Sequence, residues 1–419
     1  MLEAGEALRR GGERHTNAVV SGFVAFLGVV MAFGIEALLP ALDQIGAEYD
    51  FAGRGWGVSL VVTTMLAGMG VGQFLWGPLS DSVGRVPALC LGLMVFAMGA
   101  VGTALAPEAT LLLVARFIWG VGAAAPNGLR LAVARDCAEG DELARVITIA
   151  TAIFLVAPVF MPVLGEGVLL VGPWQLVPLL AVALAAVAIV ASIWFGESLP
   201  KAARVRFALR PVAHAVVVIA RTPASAGAIV ATTLFSGSFF VFLGGAQPIV
   251  DDIFDRDSQF VWIFAVNGIC MSVALVLANR LIGRVGRAKL AVIAAIAAVV
   301  VSVVATVICT AVGGVPTIWV WLALACGQNA GMAVVTALAA SLALQPLGTV
   351  AGTGASVLAF GQLAVGAALA AVVDSFIDST VTAMFLGAAI YGIAGTAALL
   401  WSVNSAAEAP PTAAVDQLS

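Results

Sequence analysis

The sequence consists of one apolar run of about 20 residues after another, separated by short polar or charged segments. A helical run of that length spans the hydrocarbon layer of a bilayer. Because unpaired backbone polar groups are too costly in lipid, these runs have to be helices. Charged residues make up only 10% of the 419 residues, whereas soluble proteins have about a quarter. The sequence therefore predicts an all-helical protein surrounded mostly by lipid.

Dividing the chain at its clusters of charge, proline and glycine predicts twelve membrane spans in two halves of six. The predicted spans are 18–41, 56–79, 87–106, 110–134, 143–168, 173–196, 224–249, 259–282, 288–311, 315–341, 350–373 and 379–403. The predicted segments are a cytoplasmic tail 1–17, an N-terminal half 18–196, a cytoplasmic linker 197–223, a C-terminal half 224–403 and a disordered cytoplasmic tail 404–419.

Two similar turns occur at corresponding places in the two halves. GPLSDSVGR occupies 77–85, and a weaker copy, NRLIGRVGR, occupies 279–287. A basic turn repeated in two hydrophobic halves indicates a duplicated membrane protein. Most of the 19 Lys and Arg residues lie in the tails and the even-numbered loops. The positive-inside rule then predicts that both termini and the linker are cytoplasmic.

Several classes of function are disfavoured by the motifs. The five cysteines are scattered and contain no CxxC pair, and His15 and His214 have no metal-ligand spacing. No GxxxxGK[ST] phosphate loop occurs, so ATP is not the expected energy source. The predicted protein is a monomer in the lipid bilayer that is no enzyme, holds no cofactor or metal, and binds no nucleic acid. An ion gradient remains as the source of energy.

The first turn resembles the loop 2–3 signature of the major facilitator superfamily, G-x-L-x-D-x-x-G-R, through Gly77, Asp81, Gly84 and Arg85. Gly77 would let span 2 approach another helix closely, and Asp81 would lie at a helix N-terminus. Arg85 would pair with Asp81 or with Asp136 at the end of span 4. The resemblance implies a gate that holds the cytoplasmic side shut. The alternative is that these charges only follow membrane topology.

Span 4 contains RFIWGVGAA, which is similar to the superfamily motif R-x-x-Q-G-x-G-A-A. Arg116, Gly120 and Gly122 are in register, and Trp119 replaces the usual Gln. An Arg stays protonated, so Arg116 can act as a fixed positive charge on a carboxylate that approaches it. The alternative is an Arg that snorkels from a helix end to water.

Span 5 contains APVFMPVLGEG, which resembles the motif of drug–proton antiporters in this superfamily. Pro158 and Pro162 favour a bend in the helix, and Gly165 permits close packing. We expect the three residues to take part in gating. Glu166 is either a second protonatable group or an acid that reaches the outer water.

Span 1 ends with GIEALLPAL, which resembles the Bcr/CflA drug-resistance branch of the superfamily. That branch commonly has Asp at the position of Glu36, so a titratable carboxyl is kept. In apolar surroundings such a group can load and unload protons near neutral pH. The alternative is an acid near the outer interface with no role. RLAVARD at 130–136 and the segments 237–250 and 346–362 support the same branch.

The resemblance implies a major facilitator fold that exports small, largely apolar drugs, phenicol-type antibiotics among them, from a bacterium through its cytoplasmic membrane. Proton coupling is assigned to Glu36, Arg116 and Glu166. The substrate site is expected near mid-membrane between the halves. Its predicted lining residues are Glu36, Asn127, Phe235, Phe239, Gln247, Asn267, Gln328 and Gln362. Two alternatives remain, a proton-coupled transporter of a natural metabolite and a transport-inactive sensor on the same fold.

Overall fold

A computed structural model describes residues 16–208, 210–377 and 379–408, without the side chains of a few residues such as Pro158. All regular secondary structure in these ranges is helical, so the prediction of an all-helical protein is confirmed. The chain divides into two compact units, Met1–Leu209 and Arg210–Ser419. The boundary lies inside the predicted linker 197–223.

Within its described residues, 16–208, the first unit contains six long α-helices and one short one. They are α1 (Asn17–Glu36), the short α2 (Leu42–Glu48), α3 (Leu60–Val83), α4 (Arg85–Ala104), α5 (Ala109–Cys137), α6 (Gly140–Leu169) and α7 (Leu176–Phe195). The second unit begins with the linker helix. Its helices are α8 (Arg210–Arg221), α9 (Pro223–Pro248), α10 (Phe260–Val285), α11 (Arg287–Ala311), α12 (Ile318–Leu344), α13 (Ala351–Phe360), α14 (Gly366–Asp374) and α15 (Thr382–Glu408).

Eleven helical segments of the described residues are long and apolar enough to cross a membrane. They correspond to every predicted span except 143–168, which lies within α6. Part of α6, Val159–Leu169, is a shorter apolar helix. Span 11 is a helix that passes through a π-helical turn at Gly361–Val365 between α13 and α14.

Two helices end at residues that differ from the predicted ends of their spans. Span 1 was expected to continue to residue 41, but α1 ends at Glu36 and a 3₁₀ turn follows at Leu39–Ala41. Pro40 has no N–H to donate to the carbonyl of Glu36, so the α-helix cannot continue. At the other end, α15 extends to Glu408, beyond the predicted start of the tail at 404, because the first proline comes only at Pro410. The tails 1–15 and 409–419 lie outside the described residues.

Helix α5 lies very close to α3 because both present glycine at their contact. A methyl group on Gly68 would overlap the carbonyl oxygen of Phe117, and one on Gly120 would overlap the carbonyl oxygen of Met65. Small residues at such contacts let membrane helices pack backbone to backbone. This packing fixes the position of α5, which carries Arg116 and Trp119.

The core of the second unit is formed by α9, α10, α11, α12 and α15. Phe235 of α9 is fully buried there, with Ala298 of α11 and Val335 of α12 in the same cluster. Gly395 of α15 lies directly beside the Phe235 ring. The predicted ligand contact Phe235 is therefore part of the packing between helices.

Candidate functional site

Glu36 is the last residue of α1 and is only 9% exposed. Its Oε2 atom is buried and has no hydrogen-bond partner among the described residues. The chain turns immediately after it, and the N–H of Ala37 still donates to the carbonyl of Phe33 at 3.1 Å. Burying a carboxyl oxygen without a hydrogen-bond partner is energetically unfavourable. The break in α1 thus places a protonatable group inside the first unit.

Arg116 of α5 is completely buried, and its guanidinium contacts backbone carbonyls. Nε donates to the carbonyl of Val61 at 2.9 Å, and Nη1 donates to that of Gly34 at 3.1 Å. The guanidinium also lies over the Trp119 ring, 4.8 Å from its centroid, in a cation–π contact. Within the described residues Nη2 has no partner, and no ion pair joins Arg116 to Glu36. Arg116 therefore holds α1 and α3 together in this conformation and does not neutralise Glu36.

Gly165 of α6 lies against the backbone just after Glu36. A methyl group on Gly165 would overlap the carbonyl oxygen of Ala37. The neighbouring Glu166 is half-buried, and Pro162 is buried within the uninterrupted helix α6. The side chain of Pro158 lies outside the described part of the structure. Gly165 and Arg116 thus contact the backbone on the two sides of Glu36.

A second cluster of charges surrounds Arg85 at the junction of α3 and α4. Its Nε donates to Asp136 Oδ2 of α5 at 2.8 Å, and its Nη1 donates to Asp81 Oδ1 at 2.5 Å. Nη1 also donates to the Ser80 hydroxyl at 2.7 Å. Arg85 therefore forms both of the pairs that the sequence suggested. The Arg85 and Asp136 side chains are 10% and 14% exposed, so their pair is shielded from water more than a surface pair.

The carboxylate that binds the N–H groups at the N-terminus of α4 is that of Glu197, a residue that the sequence analysis did not single out. Its Oε1 accepts from the N–H groups of Arg85 at 2.8 Å and Leu199 at 3.0 Å. Its Oε2 accepts from the N–H of Val86 at 3.4 Å and lies 3.5 Å from the Arg204 guanidinium. A carboxylate in this position satisfies N–H groups that have no partner within the helix and interacts favourably with the helix dipole.

The segment after α7 is attached to this cluster by two more hydrogen bonds. Ser198 donates to Asp136 at 3.0 Å, and the N–H of Val205 donates to the carbonyl of Asp81 at 3.0 Å. Gly84 has φ +112°, and a methyl group there would overlap the Glu197 carboxylate. Sequence reasoning missed Glu197, because its position directly after the apolar run of span 6 does not indicate a contact with α4.

Buried amides of the second unit form the third polar group. Gln247 of α9 and Gln328 of α12 are 1% and 0% exposed, and neither amide has a partner within the described residues. Asn267 of α10 donates to Cys326 at 3.9 Å and accepts from Asn329 at 3.4 Å. Asn329 was not predicted, and only its position beside Gln328 could have indicated it. Buried amides without partners are candidates for ligand contacts, because burial without a hydrogen bond is unfavourable.

The remaining predicted residues lie on several different elements. Asn127 is half-buried on α5, Phe239 is half-buried on α9 beside Phe240, and Gln362 is half-buried in the π-helical turn. Gly77 is half-buried, and its carbonyl accepts from Ser80. Across the described residues, no group of three or more His, Cys, Asp or Glu side chains is arranged to hold a metal ion.

The two helical units and their buried charges define a multi-pass membrane transport protein. The sequence of residues 24–362 matches the protein-family model described as Major Facilitator Superfamily. The chain belongs to the major facilitator superfamily. The predictions of a twelve-helix major facilitator fold and of a transporter that is no enzyme are confirmed by this membership together with the helical structure.

Similar proteins include transporters with drug-resistance names. The chain is 26% identical over 368 residues to the bicyclomycin resistance protein homolog of Haemophilus influenzae, covering 86% of this chain and 91% of that protein. It is 28% identical over 281 residues to the uncharacterized MFS-type transporter YdgK of Bacillus subtilis, covering 66% and 67%. It is also 31% identical over 142 residues to the multidrug resistance protein MdtL of Salmonella newport, but covers only 35% of that protein.

Solved structures show the same fold. A D-xylose–proton symporter matches with a TM-score of 0.74 and 14% identity, covering 92% of this chain and 96% of that one. The human organic anion transporter MFSD10 matches with a TM-score of 0.62 and 20% identity, covering 93% and 100%. The chain is therefore a membrane transporter of small molecules with drug-resistance homologues.

Proposed function

We propose that the chain exports small, largely apolar drugs in exchange for protons across the cytoplasmic membrane of a bacterium, with phenicol-type antibiotics as candidate substrates. The observation that carries the proposal is the buried Glu36 carboxyl, whose Oε2 has no partner among the described residues. Burying this group as a carboxylate is unfavourable, so its protonation can be linked to the conformation around it. The names of the Haemophilus and Salmonella relatives support a drug as the substrate.

The contacts beside Glu36 suggest how protonation would be coupled to movement. The hydrogen bond from Arg116 to Gly34 and the packing of Gly165 on Ala37 hold the backbone on both sides of the carboxyl. A shift of α5 or α6 would therefore change the surroundings of Glu36. The unpartnered Nη2 of Arg116 is a donor that a deprotonated Glu36 could attract. Glu166, half-buried on α6, is the second candidate for carrying a proton.

In the proposed cycle, substrate enters from the cytoplasm while Glu36 is deprotonated. Protonation of Glu36 from the outside then favours release of the drug and allows the protein to return. The basic residues of the tails and even-numbered loops support this orientation, with both termini in the cytoplasm. No cofactor is required, because the proton gradient supplies the energy.

The ligand contacts that we propose are Glu36, Asn127, Phe239, Gln247, Asn267, Gln328 and Gln362. Gln247 and Gln328 have the strongest support, because each offers a donor and an acceptor that no described protein group uses. The second-unit members of this set are all uncharged, which favours an uncharged ligand. Apolar contact surface with a few polar anchors is typical of sites for such ligands.

The cluster around Arg85 is the proposed cytoplasmic gate. Asp81, Arg85 and Asp136 supply the charges, and Glu197 attaches the segment after α7 to the start of α4. These contacts would have to form and break when the cytoplasmic side closes and opens. Gly77, Gly84, Pro158, Pro162 and Gly165 are assigned to the same movement, as sites of close helix approach or bending.

The test is drug-dependent proton movement in proteoliposomes that contain the purified protein and a trapped pH dye. Chloramphenicol is added under an imposed proton gradient. We expect proton movement with the unsubstituted protein, no movement with Glu36→Gln, and unchanged movement with the control Glu108→Gln, whose side chain is exposed before α5. Light scattering of the purified protein in detergent, before reconstitution, would give the mass of the protein, for which we expect a monomer.

Three other outcomes of this experiment would lead to different conclusions about function. Full proton movement with Glu36→Gln would contradict the role of Glu36. No response from the unsubstituted protein, with a normal thermal unfolding transition, would argue against phenicol drugs and for a natural metabolite. Drug binding without transport of the drug or of protons would favour the transport-inactive sensor.

A further inference from the structure

The linker helix α8 is fixed to the second unit by one of its faces. Ala215 and Ile219, four residues apart, are 0% and 6% exposed. Ile219 packs in a cluster with Ile229 of α9, Leu347 at the end of α12 and Leu358 of α13. Residues four apart lie on the same face of a helix. The linker helix is therefore held against the ends of three spans.

The next face of α8 is apolar and remains about half exposed in the described structure. Val216 and Val217 are 45% and 46% exposed. Successive residues are rotated by 100° around the helix axis. Going around the helix, the docked face of Ala215 and Ile219 is followed by a face that carries Val216, Val217 and the small exposed residues Ala213 and Ala220. An exposed apolar face this close to the ends of membrane spans lies where lipid acyl chains begin.

The remaining face of α8 is basic. His214 and Arg221 are seven residues apart, which is two helical turns, so they lie on one side, and both are exposed. In the sequence, Arg210 precedes His214 by one further turn. Around the helix, a docked face is thus followed by an apolar face and then by a basic face. An apolar face beside a basic one is the arrangement of a helix that lies in the plane of the membrane interface.

We propose that α8 lies in the cytoplasmic membrane interface, with Val216 and Val217 among the acyl chains and His214 and Arg221 against the headgroups of anionic phospholipids. The surrounding charge supports an anionic partner. The 279–289 turn lies at the same end of the second unit, because consecutive spans run antiparallel. Its exposed basic residues are Arg280, Arg284, Arg287 and Lys289, and within the described residues none of them forms an ion pair with a carboxylate.

Depth in the membrane tests the apolar face. The full-length protein is placed in lipid nanodiscs with a spin label on Val217→Cys or on His214→Cys. The unsubstituted protein supplies the background, because its cysteines are half-buried or buried. We expect the label at 217 to collide several-fold more often with oxygen than with an aqueous nickel chelate, and the label at 214 to show the reverse. Aqueous preference at 217 would overturn the proposal. So would protection of 217 from both reagents, because a protein partner would then cover this face.

Lipid composition tests the basic face. In nanodiscs of phosphatidylcholine, adding phosphatidylglycerol should move the label at 217 deeper into the membrane. Arg221→Gln should abolish that movement, while Arg256→Gln, a matched change of an exposed arginine at the opposite end of the second unit, should leave it intact. A response that survives Arg221→Gln, or that Arg256→Gln also abolishes, would overturn the assignment of headgroup binding to α8. Neither experiment measures transport, so the outcome is independent of the proposed drug export.

Discussion

The guanidinium of Arg116 donates a 3.1 Å hydrogen bond to the carbonyl of Gly34, two residues before Glu36. Gly34 is in the last turn of α1, where carbonyl groups begin to lose their helical partners. A buried cation with no carboxylate partner in the described chain is unusual. Here its charge is balanced by backbone dipoles and by the face of Trp119. The contact links α5 directly to the end of α1.

Arg116→Lys should keep the positive charge but lose this link. A single ammonium cannot reach the carbonyls of Gly34 and Val61 as a planar guanidinium does, and it stacks less well on Trp119. Hydrogen bonds to charged groups contribute about 1.5–3 kcal/mol, so we expect drug-dependent proton movement to fall about tenfold or more. The measurement is the initial rate in proteoliposomes, with the amount of folded protein matched by gel filtration. A rate equal to that of the unsubstituted protein would show that charge alone is needed.

Gly165→Ala should weaken the contact between α6 and the end of α1. The added methyl group would overlap the carbonyl oxygen of Ala37, and relieving such an overlap is destabilising by about 1–3 kcal/mol. Both the thermal unfolding temperature and the transport rate should fall. Gly167→Ala is the matched control, because a methyl group there meets nothing within 4 Å. Equal behaviour of the two variants would mean that α6 has room to move beside Ala37.

The two repeated turns offer an internal comparison. Gly84 and Gly286 both precede a basic residue at the start of a helix, and both have positive φ, +112° and +85°. Alanine at either position should be strained by about 1–3 kcal/mol. Only at Gly84 would the methyl group also overlap the Glu197 carboxylate, whereas Gly286 has open space.

We therefore expect Gly84→Ala to lower the thermal unfolding temperature clearly more than Gly286→Ala. Transport should follow the same order, because only the first turn carries the Arg85 cluster. The unfolding temperatures of both purified variants decide this. Equal losses would show that the contact with Glu197 adds nothing to the strain of the turn itself.

How much the sequence could predict depends on the kind of contact. Long apolar runs require helices in lipid, so the all-helical structure followed from composition alone. The pairs of Arg85 with Asp81 and Asp136 were also predictable, since Asp81 and Arg85 share one motif and Asp136 ends a span on the same side of the membrane. By contrast, Glu197 approaches α4 from 112 residues away in the chain, and no local pattern encodes that distance.

The contacts of Arg116 with the backbone could not be predicted from the sequence for another reason. The partners of Arg116 are carbonyl groups of Gly34 and Val61, which every residue has, so no residue type indicates them. The end of α1 at Glu36 could have been predicted, because Pro40 lacks the N–H that the next helical hydrogen bond needs. The predicted span continued to residue 41 because it was based on hydrophobicity alone.

Gln328→Leu separates a binding role from a structural one. The Gln328 amide is fully buried and has no partner in the described structure, so replacing it with an apolar side chain of similar size removes an unfavourable burial of about 1–3 kcal/mol. The thermal unfolding temperature in the absence of drug should therefore stay the same or rise. If the amide binds the drug, drug-dependent proton movement should fall by about tenfold for a hydrogen bond of this strength.

Asn267→Leu is the contrasting variant, because Asn267 contacts Cys326 and Asn329 and its loss should lower the unfolding temperature. A Gln328→Leu protein that transports normally would exclude this amide from the ligand site, whereas one that unfolds at a lower temperature would place Gln328 in the structural core.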